Sequence, residues 1–230
     1  MPRFVQRRTV LFPTLLGCLT LLAVGGALFL LWAFEGETFL SKLDREPAEV
    51  LVVEGWIGQD GVAASAEEFA RNGYQFIATT SGLTGNPWTK RRWSYAAEAQ
   101  EQLIRIGIPP SSVILAAPPD TDNHRTYESA QAVLLALEKR GLHPKAVNIF
   151  TLGIHARRSR LVFAKVFGKG TIIGVVPWIP IGYNHGPWWH SSTRTLDLIK
   201  ETGGYLFEAL LNSGREFNSP HHDEPASPAP

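Results

Sequence analysis

The chain has 230 residues, a net charge of +1 and one cysteine. That balance offers no basic field for nucleic acid, and a lone Cys18 permits no intrachain disulfide. With 44% hydrophobic and 19% charged residues, the bulk of the chain suits one globular domain with a substantial core.

Arg3, Arg7 and Arg8 open the chain, and no further charge occurs before Glu35. The uncharged run exceeds the ~20 residues that a helix needs to cross a ~30 Å hydrocarbon core. It predicts a transmembrane helix over 9–32, with 1–8 in the cytoplasm. Arginines before the run and Glu35 and Glu37 after it place the remainder outside the cytoplasm. A cleaved signal peptide would have a shorter apolar region ending in small residues. Here Gly25-Gly26-Ala27 continues straight into Leu28–Trp32, which favours an uncleaved anchor. Leu15-Leu16-Gly17-Cys18 superficially resembles a lipoprotein box, but the apolar run continues past it, so lipidation stays an alternative.

A connector over 33–47 is expected to lift a domain over 48–213 from the bilayer, and a disordered tail over 214–230 follows, poor in apolar residues. Within the domain, Glu49–Val53 is a short β-branched run that reads as a strand covered on both faces. A helix from Gly61 stops at Asn72-Gly73, and Tyr74–Thr80 is the second strand. Ser81–Pro87 reads as a loop, Lys90–Ile106 as a helix and Val113–Ala116 as the third strand. A helix capped by Thr126 or a neighbour runs to Lys139. Val147–Leu152 is the fourth strand; Gly153 breaks it, and a helix starts at His155. Thr171–Val176 is the fifth strand, 177–190 an aromatic loop, and Thr193–Leu211 a last amphipathic helix. Strands alternating with helices across short connections predict an α/β fold with a five-stranded, mostly parallel sheet covered on both faces.

In such a sheet the loops after the strands share one edge, where ligands bind. The candidates there are Glu54, Gly55 and Trp56 after the first strand, Ser81 and Gly82 after the second, Thr126 and Glu128 after the third, and Gly153, His155 and Arg158 after the fourth. Glu54 serves as a general base or hydroxyl ligand, or pairs with Arg158. Trp56 stacks on a ring or covers the sheet edge. Ser81 and Gly82 offer backbone donors to an anion, or only form a turn. Glu98 approaches the pocket from its helix or lies on a solvated face. His155 shuttles a proton or binds phosphate, or bonds a loop carbonyl.

Cations in a first helical turn oppose the macrodipole, so Arg157 and Arg158 mark an anion site or find carboxylates elsewhere. An unpaired Arg158 replaced by alanine would lose about 1.5–3 kcal/mol of ligand affinity with stability unchanged or raised. One paired with Glu54 or Glu128 would instead lose melting temperature. No Gly-x-Ser-x-Gly, phosphate-loop or Gly-x-Gly-x-x-Gly motif supports a serine hydrolase, a Walker nucleotidase or an ordinary dinucleotide enzyme. His185, His190, His221, His222 and Asp223 have poor metal-ligand spacing, and no metal site is assigned.

The anchor, Val50–Trp56, Thr79–Gly82, Glu98, Thr126–Ala130, Thr151–Arg158 with its His155-x-x-Arg158, and Trp188-Trp189 before a helix with Glu201 resemble the bacterial ElyC/SanA/YdcF family, the domain of unknown function 218. The resemblance covers roughly Ala48–Leu211. It departs at Glu54-Gly55-Trp56, where many members have a glycine run, and at Ser129, where they have asparagine. It implies a Rossmann-like, three-layer α/β/α domain at the bacterial inner membrane, facing the periplasm and associated with peptidoglycan, polysaccharide or lipid-carrier metabolism. The expected function is then an envelope factor that binds a phosphorylated small molecule, a nucleotide-like ligand or a lipid-linked precursor, working with envelope-synthesis proteins. A phosphate-ester hydrolase or transferase using His155, Arg158 and Glu54 or Glu128 is the enzyme alternative. A scaffold docking through the Trp178–Trp189 loop is the third. The cofactor stays unassigned.

Overall fold

The structure is a computed structural model that describes residues 12–85, 92–121, 124–183 and 186–211. The chain divides into two units, Met1–Gly36 and Glu37–Pro230. The outer limits expected for the N-terminus and the tail, 1–8 and 214–230, lie outside the described residues.

The first unit contributes most of α1, Leu15–Leu40, the helix long and apolar enough to cross a membrane, with a mean hydropathy of 2.3. The helix does not end at Trp32 as expected. No proline follows and the single Gly36 costs only about 1 kcal/mol, so it continues through Glu35 and Glu37 until Leu40, which is buried in the second unit. The expected connector is therefore not a spacer. Asp44 forms an antiparallel bridge with Val175, and the buried Asn148 side chain clasps Glu46, accepting from its N–H at 2.9 Å and donating to its carbonyl at 2.7 Å.

The second unit is built on one five-stranded sheet ordered β5-β2-β1-β6-β7. The strands are β1 Val50–Glu54, β2 Phe76–Thr80, β5 Val113–Ala116, β6 Ala146–Leu152 and β7 Ile172–Trp178, and every pairing among them is parallel. Continuous apolar runs form these strands because both faces are covered: Val50, Leu51, Val52 and Val53 are at most 1% exposed. Their alternation splits the core in two. Val50, Val52, Val147 and Ile149 pack with Ala130, Val133 and Leu137 of α4, Arg125–Lys139, and with Phe163 of α5, Ala156–Phe167. Leu51, Val53, Ile77 and Val113 pack with Val62 of α2, Gly58–Arg71, and Leu103 of α3, Tyr95–Arg105. This is the expected three-layer α/β architecture, and α6, Ser192–Leu211, lies against α5.

Local departures have local causes. The expected loop after β2 carries an antiparallel pair, β3 Leu83–Gly85 and β4 Arg92–Ser94, while residues 86–91 lie outside the described set. The next helix starts at Tyr95 rather than Lys90 because Ser94 is its N-cap, accepting from Ala97 N–H at 3.3 Å. Thr126 is not a cap. The left-handed residue His124 precedes α4, and its side chain makes no capping bond.

The Asn148 clamp also explains Gly174 beside it, where a Cβ would lie 2.0 Å from Asn148 Oδ1. Asn148 further donates to the Tyr74 hydroxyl at 2.9 Å, whose pKa burial pushes up to about 12, and Tyr74 donates to Glu68. Asn148→Ala is expected to cost on the order of 2–4 kcal/mol, because it removes three hydrogen bonds and strips Glu46 of both backbone partners. Urea unfolding of the full chain in detergent checks this, and an unchanged midpoint would show that the segment at 44–46 is not clamped.

Candidate functional site

The C-terminal edge of the sheet gathers the ends of β1, β2, β5 and β6 over a cavity of about 510 Å³. Glu54, Trp56, Ser81, Gly82, Thr126, His155 and Arg158 all line it, as the topology of an open parallel sheet requires. One wall comes from α6 through Lys200, Glu201, Gly204, Phe207 and Glu208.

Glu54, the last residue of β1, is 2% exposed. Its carboxylate accepts from the Thr151 hydroxyl, and from Ser159 at 3.1 and 3.2 Å, so the buried acid is satisfied by hydroxyls and not by an arginine. His155, also buried, ends the tight turn between β6 and α5. Its Nδ1 lies 3.0 Å from Glu201 and its Nε2 3.5 Å from Glu54, so two carboxylates far apart in sequence bracket one imidazole. Nδ1 also lies 3.0 Å from Arg158 Nη2. Since guanidinium only donates and carboxylate only accepts, a protonated Nδ1 directs its hydrogen to Glu201. Trp56 closes the other side, its ring edge-on to His155 at 5.1 Å.

Arg158 grips Glu201 with both ends of its fork, Nε at 2.7 Å and Nη2 at 3.2 Å, and donates to Thr126 at 3.1 Å. Burial alone would raise the Glu201 pKa, but hydrogen bonds and positive charge from His155 and then Arg158 hold the carboxyl well below the usual carboxylate range. Arg157 donates to the Phe39 carbonyl at 2.7 Å and lies 3.9 Å over the Phe39 ring. Both first-turn arginines thus have partners. Arg158 is therefore the paired case, in which removal lowers stability, because its partner Glu201 would be left in a buried site with one fewer cation. The alternative pairings of Arg158 with Glu54 or Glu128 are absent among the described contacts; Glu201 takes that place.

Four sequence candidates do not join the cavity. Glu98 is exposed because Ala96 and Ala99 turn inward on α3, and Glu128 is outside the cavity lining because Ser129 and Ala130 are the buried residues of that turn. Gly55 is a packing residue: a Cβ there would lie 2.4 Å from the Tyr95 carbonyl. Gly153 lines a separate cavity of about 150 Å³ with Glu37, Ser41 and Tyr183. His185, His221, His222 and Asp223 lie outside the described residues.

Sequence reasoning about individual loops did not assign Glu201, Ser159, Thr151, Arg125 or Lys200 to the site. Arg125 and Lys200 line the cavity, and so does the start of α4, whose leading N–H groups have no cap from His124. Ser81 adds a strained backbone, with φ 144° in a buried residue that carries a side chain. The cavity therefore combines backbone donors, cations and an imidazole held by carboxylates. Comparison with protein-family models, curated proteins and solved structures returns no match. Fold and site define a class: a parallel α/β domain with a ligand-sized cavity of mixed polar and apolar lining at its sheet edge and, among the described residues, one helix long and apolar enough to span a membrane.

Two adjacent glycines of α6 separate packing from propensity. A Cβ on Gly203 meets nothing within 4 Å, so Gly203→Ala is expected to stabilise by roughly 0.5–1 kcal/mol. A Cβ on Gly204 would lie 2.8 Å from Arg158 Cδ, whose far end is fixed on Glu201. Gly204→Ala is expected to lower the melting temperature where Gly203→Ala raises it, and equal shifts would show that Arg158 moves freely.

The Glu201 pKa also sets a pH dependence. The folded carboxyl titrates below its ordinary value of 4.5, so its stabilisation is complete above that pH and is lost as pH falls further toward the folded value. The stability gap between the native chain and Glu201→Gln should be widest near neutral pH and shrink below about pH 4.5. Urea midpoints across this range check the sign, and a gap that widens in acid would contradict it.

Proposed function

We propose that this chain is a membrane-anchored cell-envelope factor of the ElyC/SanA/YdcF kind, whose α/β domain lies outside the cytoplasm and binds a phosphorylated or nucleotide-like ligand. The observation that carries the reading is the meeting of the α4 N-terminus, Arg125, Arg158 and Lys200 on one cavity at the sheet edge. Oriented N–H groups and the dipole of α4 favour an anion there. The strained Ser81 and the following Gly82 bring backbone to the same wall. The cavity volume suits a ligand the size of a nucleotide or a sugar phosphate. Support for the anchor and its orientation comes from the apolar length of α1 and from the arginines before it.

The His155 contacts favour one further reading, hydrolysis or transfer at a phosphate ester. Glu201 orients the imidazole through Nδ1, which leaves Nε2 on the side of Glu54 as the atom that exchanges a proton. In hydrolysis, water oxygen would bond to phosphorus as the P–O ester bond breaks; the leaving oxygen would take a proton from His155 Nε2, and the proton released by the water would pass to the Glu54 carboxylate and from there back to Nε2. Arg158 would then balance charge on the phosphoryl oxygens while remaining tied to Glu201.

The test is calorimetric titration of the full chain in lipid nanodiscs with a nucleoside diphosphate, a sugar phosphate and a short polyprenyl phosphate. Arg125→Ala is expected to weaken the bound probe about ten- to a hundredfold, by 1.5–3 kcal/mol, with melting unchanged because Arg125 is exposed. Arg158→Ala should lose both affinity and melting temperature. Failure of every phosphorylated probe to bind, or equal binding by Arg125→Ala, would sink the anion reading. Release of phosphate from the bound probe, abolished in His155→Ala, would select the enzyme over the binding module.

A further inference from the structure

Helix α6 is amphipathic with its apolar face outward. Its inward positions include Arg194, Leu198 and Glu201, which are 7%, 0% and 5% exposed, and Glu208, which pairs with Lys165 at 2.7 Å. Its outward positions are Leu196, Ile199, Leu206 and Leu210, exposed by 68%, 53%, 48% and 76%, with Phe207 and Leu211 beside them. These side chains recur at helical spacing and form one stripe along a helix of 20 residues, about 30 Å long. Soluble domains rarely leave a contiguous apolar surface of that extent uncovered.

We propose that this outward face of α6 lies in the interfacial zone of the bilayer that holds the chain's own anchor, an inference that rests on the anchor reading above. The first support is tethering. Glu37 is bound by Arg194 at 2.6 and 3.1 Å, and Phe39 packs edge-on to Tyr205 at 5.5 Å, so the residues that follow the apolar run are fixed on α6 itself. The second is reach. Glu35 is the first charge after the apolar run, and only five positions further along the chain Leu40 is already buried in the second unit.

The third support is residue type. Exposed Lys200 lies within the apolar arc, and exposed Trp189 immediately precedes the helix, a combination suited to an interface that is apolar on one side and wet on the other. Lys200 and Phe207 belong both to the stripe and to the cavity lining. Docking of α6 therefore places the cavity's α6 wall at the headgroups.

The test uses the full chain with Cys18→Ser, reconstituted into vesicles of phosphatidylethanolamine and phosphatidylglycerol. An environment-sensitive fluorophore is attached in turn through Ile199→Cys, Leu206→Cys, Lys139→Cys and Val24→Cys. The expected result is quenching by lipids brominated near the headgroup at 199 and 206, quenching by deeply brominated lipids at 24, and none at 139. Ile199→Asp with Leu206→Asp should leave melting in detergent unchanged and expose a label introduced by Leu210→Cys to an aqueous quencher. Quenching at 24 with water-exposed labels at 199 and 206 would overturn the inference and leave the anchor standing. Labels at 199 and 206 that are shielded from water but untouched by brominated lipid would mean a second copy or another protein covers the stripe, which also overturns it. No lipid quenching at 24 would overturn the anchor reading and this inference together.

Discussion

The arrangement of the site depends on a ladder of ion pairs that holds α6 to α5. Glu201 and Glu208 on α6 meet Arg158 and Lys165 on α5, each pair seven residues apart on its own helix. Seven residues are two turns with a lag of only ~20°, so both rungs stay on one face of each helix and the helices run parallel. One interval before Glu201, Arg194 continues the ladder to Glu37. Such pairs add little over an apolar contact of the same volume, but removing one member leaves a buried charge, at a cost of about 3–5 kcal/mol. They act as a register device. The sheet positions α5, and the ladder then positions α6 and the cavity wall it carries.

Glu201 does more than close a rung. It is the acceptor for His155 as well as for Arg158, so the placement of α6 sets the imidazole orientation. Glu54 is held from the opposite side by Thr151 and Ser159, both on the β6-to-α5 segment. The centre of the site is thus braced by strand, turn and helix, and none of its hydrogen bonds depends on a long loop. Gly204 fits this account, since a glycine within α6 costs helix stability but lets the Arg158 stem lie against the helix backbone. The side of the cavity formed by Ser81, Gly82, Arg125 and Tyr127 comes from loops and a helix start. Recognition of different ligands by one fold is ordinarily adjusted at such elements.

The parallel sheet was legible because its strands are buried on both faces and so appear as unbroken β-branched runs; β5 was read to the residue at both ends. The cavity edge was legible for the same reason, and seven candidates met there. Positions that depended on helix phase were less accessible. Glu98 and Glu128 lie near helix starts at the correct edge, yet one residue of rotation, about 100°, separates the cavity from another face. Gly55 and Gly153 were candidates by their place after β1 and β6 at this edge, whereas one packs under Tyr95 and the other lines a different cavity. Glu201 was invisible to loop-by-loop reasoning because its partners lie on α5. Its signal was the shared seven-residue interval of Arg158 with Lys165 and of Glu201 with Glu208.

That interval also resolves a question periodicity alone leaves open. A hydrophobic period of 3.6 establishes that α6 has an apolar face, but carries no information on which way the face points. For α2 through α5 the inward direction follows from the two apolar clusters against the sheet. For α6 the ion pairs fix the opposite phase: Arg194, Glu201 and Glu208 must face their partners, and Leu196, Ile199, Leu206 and Leu210 are thereby turned outward. The polar contacts that organise the site and the apolar surface proposed to meet the bilayer are two faces of one helix. Substituting a ladder charge should therefore disturb both, whereas substituting the outward leucines should leave His155 and its carboxylates in place.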